Sequence, residues 1–120
     1  MNSMTISTFR NLESQAINQR RKEIYAHELA HKNAAGSLAG SIVIEKDSNG
    51  IPVGGHVSIN MPVLNKENPA ETINHANKVI KAALAPFNPS KQDYNVASKA
   101  RAIKTEAQNL QSNKRLDYYA

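Results

Sequence analysis

Residues 27–31 read His27-Glu28-Leu29-Ala30-His31, two imidazoles flanking a carboxylate in an H-E-x-x-H spacing. On an α-helix, positions four apart differ by about 40° in azimuth and about 6 Å in rise, so both rings leave one face. Their nitrogens can then converge on one ion at about 2.0–2.1 Å, the distance that Zn²⁺ prefers. Glu28, next to the first His, reaches a water held at that ion rather than the ion itself. A metal lowers the pKa of such a water toward about 7, and the carboxylate can take its proton as general base. A solvated helix with an exposed His pair would share the spacing. The flanks Tyr25, Ala26, Leu29, Ala30, Ala34 and Ala35 are too apolar for that, and rings turned toward a partly apolar interior need partners.

A catalytic zinc takes three protein ligands and a water, so two His leave the site incomplete. With no Cys in the chain, the candidates are His56, His75, Glu71 and Asp93. His56 is the favoured third metal ligand. Pairing a hairpin about Asp47–Gly50 sets it opposite Ser41, near the C-terminal end of the motif helix. His75 has no neighbours at metal-ligand spacing, Glu71 is placed to cap a helix, and Asp93 suits the first turn of another. Tyr25 and Tyr94 could donate to an oxyanion, although Tyr at helical spacing more often packs.

The motif requires a helix, and the sequence supplies one independently. From about Thr8 to Ala35 there is no Pro or Gly, and Phe9, Leu12, Ala16, Ile17, Ile24 and Ala34 recur at helical intervals until Gly36. Ser41-Ile42-Val43-Ile44-Glu45-Lys46 is β-branched, Asp47-Ser48-Asn49-Gly50 has turn chemistry, and Ile51–Asn60 returns as a second strand. Gly54-Gly55 in that strand predicts a bulge or a close backbone approach. Asn68-Pro69-Ala70-Glu71 opens a helix whose stripe is Ile73, Ala76, Ile80, Ala83 and Leu84, ended by Pro86. Ser90 and Asp93 open a last helix carrying Val96, Ala100, Ile103, Ala107 and Leu110. The expected fold class is α+β: a long motif helix, a β-hairpin, then two helices packed against it. One zincin-like domain spans 8–111, between a flexible N-terminus, 1–7, and a flexible tail, 112–120.

The chain has 120 residues, 40% hydrophobic with no Trp, enough for one domain with a core of Ala, Ile, Val and Leu. No run is long and apolar enough to span a bilayer, and no secretory signal is visible, so a cytoplasmic protein without membrane contact is expected. Absence of Cys removes disulfides and thiol chemistry. The net charge of +5 is not focused: Arg20-Arg21-Lys22 is the one basic triplet, and Glu23 follows it. Without aromatics interleaved among the basic residues, no nucleic-acid partner is expected. Nucleotide-binding loops and serine-hydrolase motifs are likewise missing.

Tyr25-Ala26-His27-Glu28-Leu29-Ala30-His31-Lys32-Asn33-Ala34-Ala35-Gly36, followed by Ala39-Gly40, resembles the SprA-related family of zinc metalloproteases. Val53-Gly54-Gly55-His56-Val57-Ser58-Ile59, Lys81-Ala82-Ala83-Leu84-Ala85-Pro86 and Pro89-Ser90-Lys91-Gln92-Asp93 follow the same pattern in the same order. The resemblance covers about residues 20–105. It implies a small HExxH zinc protein with peptidase activity, acting on a peptide or protein. In that family the position of His56 more commonly carries Glu, and Asp93 matches a Gln-Asp pair that could orient a ligating imidazole. The expected function is zinc-dependent peptide hydrolysis with Glu28 as catalytic base and His27, His31 and His56 as zinc ligands. The alternative is a metal-binding or interaction module without hydrolysis. A chain this short has little material for a cleft, which leaves a homo-oligomer or a partner protein open.

Overall fold

A computed structural model describes residues 5–119, with side chains through residue 113. Helix α1 (Ile6–Ala35) leads through a 3-10 turn at Gly36–Leu38 to strands β1 (Ala39–Lys46) and β2 (Pro52–Ile59). Helices α2 (Pro69–Ala83) and α3 (Lys91–Tyr119) complete the chain. The fold is α+β, as the patterning predicts. The expected flexible segments 1–7 and 112–120 fall partly outside the described residues, and within these α1 already opens at Ile6. Its start precedes the expected Thr8 because Thr5 caps it, the hydroxyl accepting from the Thr8 N–H at 3.1 Å. Gly36 ends it at φ +57°, a conformation that side chains rarely adopt.

The two strands pair antiparallel through a turn held by Asp47, whose carboxylate accepts from the N–H groups of Asn49 (2.8 Å) and Ile51 (3.0 Å). The register corrects the simple hairpin expectation: His56 lies opposite Val43, not Ser41. The loop is longer than four residues, and the register shifts between Glu45 and Lys46, where Val53 is the extra residue. A bulge of this kind adds one residue to one strand and re-aims those beyond it. Arg20 anchors the bulged end, donating from Nε to the Pro52 carbonyl (2.9 Å) and from Nη2 to that of Val53 (3.3 Å).

The second half of α1 packs on both strands and on α2, and α2 packs chiefly on α3. The fully buried positions of these two helices are small, Ala76, Val79, Ala82 and Ala83 on α2 and Ala97, Ala100 and Ala107 on α3. This rotates the buried stripe of α2 from the expected Ile73 and Ile80 toward Val79 and Ala82, because alanines let the two backbones approach closely. Asn68 caps α2, its Oδ1 accepting from the Glu71 N–H at 3.4 Å, and Pro69 fills the first turn. Ser90 and Asp93 cap α3 reciprocally: the Asp93 N–H donates to Ser90 Oγ (3.1 Å) and the Ser90 N–H to Asp93 Oδ2 (2.8 Å). Among the described residues, no helix is long and apolar enough to cross a membrane.

Candidate metal centre

The helical spacing of the motif puts His27, Glu28 and His31 on the face of α1 that turns inward. One ligand atom from each lies within 4.8 Å of the others, and Glu28 and His31 are buried. Among the described residues this is the group that could hold a metal ion. The metal's identity is not fixed by the grouping itself.

His31 is oriented from α2. Its Nδ1 lies 2.8 Å from the Ala82 carbonyl; a carbonyl only accepts, so Nδ1 carries the hydrogen. That carbonyl is open for a sequence reason. Its regular donor four residues on would be Pro86, which has no N–H, so the carbonyl is left to the Leu84 N–H and to a longer bond from the Ala85 N–H (3.3 Å). With Nδ1 held this way, Nε2 is the ring nitrogen left for a further partner. That atom lies 3.1 Å from Asp93 Oδ1, and the imidazole is 5% exposed. A nitrogen and a carboxylate oxygen this close in a nearly dry place share a cation, either a proton on Nε2 or a bound metal ion. His27 Nε2 lies 3.1 Å from the other oxygen of the same carboxylate, Oδ2. A carbonyl holding one imidazole nitrogen so that the other points inward is the usual support of a metal-ligating His. The residues present fit a zinc-sized cation.

Glu28 has a different setting. Among the described residues none donates a hydrogen bond to its carboxylate, and its carboxyl is pushed above the ordinary range, chiefly by burial. The nearby His31, His27 and His56 pull it down and Asp93 adds to the rise. A carboxylate biased toward holding a proton, beside two imidazoles and open to a cleft, suits a general base. The cleft is about 380 Å³, and its wall combines Glu28, His31, His56 and Asp93 with apolar Val57, Met61 and Val96.

His56 reaches this cleft wall, but its imidazole is half exposed and pairs with Glu45, Nδ1 to Oε1 at 2.8 Å. Like Asp93, it stands outside the group formed by His27, Glu28 and His31. His75 donates from Nε2 to the Asn60 carbonyl at 2.8 Å, and Glu71 sits at the α2 cap. Tyr25 and Tyr94 are exposed. One partner lay outside the sequence reading, the Ala82 carbonyl; Asp93 was expected as a residue that could orient a ligating imidazole, and the structure adds that its two oxygens meet both imidazoles. Pro86, four residues past Ala82, was the available signal for that carbonyl. Nothing local to either residue signals that double contact, since His31 and Asp93 are 62 positions apart in the chain.

The close approach expected from Gly54-Gly55 occurs at Gly55. A Cβ there would stand 2.7 Å from Ile24 Cγ2, 3.0 Å from the Val43 carbonyl oxygen and 3.1 Å from Glu28 Cγ. The missing side chain lets β2 lie directly against the motif turn of α1. No curated protein and no solved structure matches the chain. A family comparison does match it over residues 7–118, the whole of the described site and nearly all of the fold. The chain belongs to the SprA-related family.

Proposed function

We propose that this protein is a zinc-dependent metallopeptidase in which His27 and His31 hold the metal and Glu28 is the general base. The observation that carries the reading is the buried His31. Its Nδ1 is held by the Ala82 carbonyl, and its ring belongs to a group with His27 and Glu28 in which one ligand atom of each lies within 4.8 Å of the others. Zinc bound there supplies Lewis acidity, polarising a peptide carbonyl and acidifying a water.

The side chains perform the rest. Ala82 fixes the tautomer and rotation of His31, so no ring reorientation is needed during turnover. The carboxylate of Glu28, raised in basicity by burial, takes the proton of the attacking water and returns it to the leaving amine. Val57, Met61 and Val96 give the cleft an apolar wall suited to a hydrophobic side chain of a peptide.

The test compares the zinc-loaded parent with Glu28→Gln on a mixture of quenched fluorescent peptides. Losing a positioned general base costs about 10²–10⁴ in rate, so Glu28→Gln should lose hydrolysis by that factor while keeping its zinc. Equal hydrolysis by both proteins would contradict the assignment of Glu28. Zinc binding without hydrolysis in the parent would favour a metal-binding module.

A further inference from the structure

We propose that Asp93, and not His56, is the third protein ligand of the metal, a proposal that rests on the zinc reading above. Asp93 comes from the first turn of α3, the element farthest in sequence from the motif, and its carboxylate straddles both imidazoles. Oδ2 lies 3.1 Å from His27 Nε2 and Oδ1 lies 3.1 Å from His31 Nε2. Two ligands each about 2.0–2.1 Å from a tetrahedral zinc stand about 3.3 Å apart. The carboxylate therefore sits at nearly the separation from each imidazole that shared coordination demands, through a different oxygen for each.

The surroundings of the carboxylate agree. Ligating carboxylates are themselves held by outer hydrogen bonds, and the Ser90 N–H donates to Oδ2 at 2.8 Å. That bond fixes the plane of the carboxylate and leaves Oδ1 facing His31 Nε2. Its side chain is 13% exposed, whereas that of His56 is 53% exposed and its Nδ1 is engaged by Glu45 at 2.8 Å. The bulge at Val53 contributes to this, since it places His56 opposite Val43 and next to Glu45's side chain. A metal held by His27, His31 and Asp93 would join α1 to α3, two elements that otherwise meet mainly through α2.

The chain has no cysteine, so a thiol introduced at one position reports on that position alone. Asp93→Cys and His56→Cys are each titrated with Co²⁺, alongside the parent. A near-ultraviolet thiolate-to-cobalt charge-transfer band is expected for Asp93→Cys and not for His56→Cys. In parallel, Zn²⁺ titrations with a chromophoric competitor compare Asp93→Asn and His56→Ala with the parent. Asp93→Asn keeps an oxygen that can accept the Ser90 cap bond. It should weaken zinc by more than about a hundredfold, beyond the about 10–100-fold that loss of an outer partner costs. His56→Ala should bind as the parent does. A charge-transfer band in His56→Cys alone, or parent-like zinc binding by Asp93→Asn, overturns the proposal while the His27–His31 site stands. Failure of the parent itself to bind either metal overturns the zinc reading instead.

Discussion

Gly55→Ala isolates the seam between the hairpin and the motif helix. Gly55 does not have a positive φ, so its backbone would accept alanine and any cost comes from contacts. The added Cβ would lie 2.7 Å from Ile24 Cγ2, against about 3.5–4.0 Å for carbon atoms at their optimum separation. The strand cannot slide toward β1, because the Val43 carbonyl oxygen is already at 3.0 Å. It must lift off α1, or α1 must shift and carry Glu28 Cγ, at 3.1 Å, with it. Overpacking of this order costs about 1–3 kcal/mol. Unfolding entropy of about 2.1 cal/mol/K per residue makes 1 kcal/mol worth about 4 °C for this chain, so Tm should fall by about 4–12 °C. Gly54→Ala is the matched control, since its Cβ would meet only Glu45 Oε2, at 3.6 Å. It should melt like the parent or up to about 4 °C higher, through the reduced freedom of its unfolded chain, worth about 0.4–1 kcal/mol. Differential scanning calorimetry of the three metal-free proteins decides. Parent-like melting of Gly55→Ala, or a larger loss in Gly54→Ala, would refute the close-approach explanation.

Zinc at a hundredfold excess over its dissociation constant should stabilise the folded chain by about 2.7 kcal/mol, raising Tm by about 11 °C on the same scale; an unchanged melt after chelation of a demonstrably loaded protein would deny the ion any tethering role. A pH effect follows from the direction in which Glu28 is shifted. Its folded pKa is raised by burial, so ionising it carries a stability cost that is absent well below the ordinary value of about 4.3 and complete above the folded pKa. Metal-free Glu28→Gln should therefore gain on the parent as pH rises through that window, checked by denaturant melts at a series of pH values; a gap that widens toward low pH would reverse the sign.

The secondary structure was largely legible because its signals are local. Thr8–Ala35 contains no helix breaker, Asn68-Pro69 announces a cap, and Asp47–Gly50 has the chemistry of the turn it forms. The candidate site was legible in the part that one helix determines, namely the shared face of His27, Glu28 and His31. Register was less so. Whether Gly54-Gly55 yields a bulge or only a close approach depends on what packs against it, and both occurred, one residue apart at Val53 and at Gly55. The five-residue loop and the extra Val53 each shift the pairing by one, which moved His56 two positions, from Ser41 to Val43, and beside Glu45. Asp93 illustrates a further limit. Its position in a helix first turn was readable as a cap, and it does cap α3, yet the same carboxylate also faces both imidazoles. That second role depends on how α2 stacks between α1 and α3, through alanine contacts that carry no distinctive sequence mark.

A titration of metal-free protein with Zn²⁺, read by calorimetry and by metal analysis of the dialysed product, tests the central claim most directly. Two imidazoles on a preformed helix face should give one tightly bound zinc per chain near neutral pH, weakening in acid as protons compete with the metal. Glu28→Gln should keep that stoichiometry, and His27→Ala and His31→Ala should each lose it. A parent that takes up no zinc, or two His variants that bind it as tightly as the parent, would contradict the account.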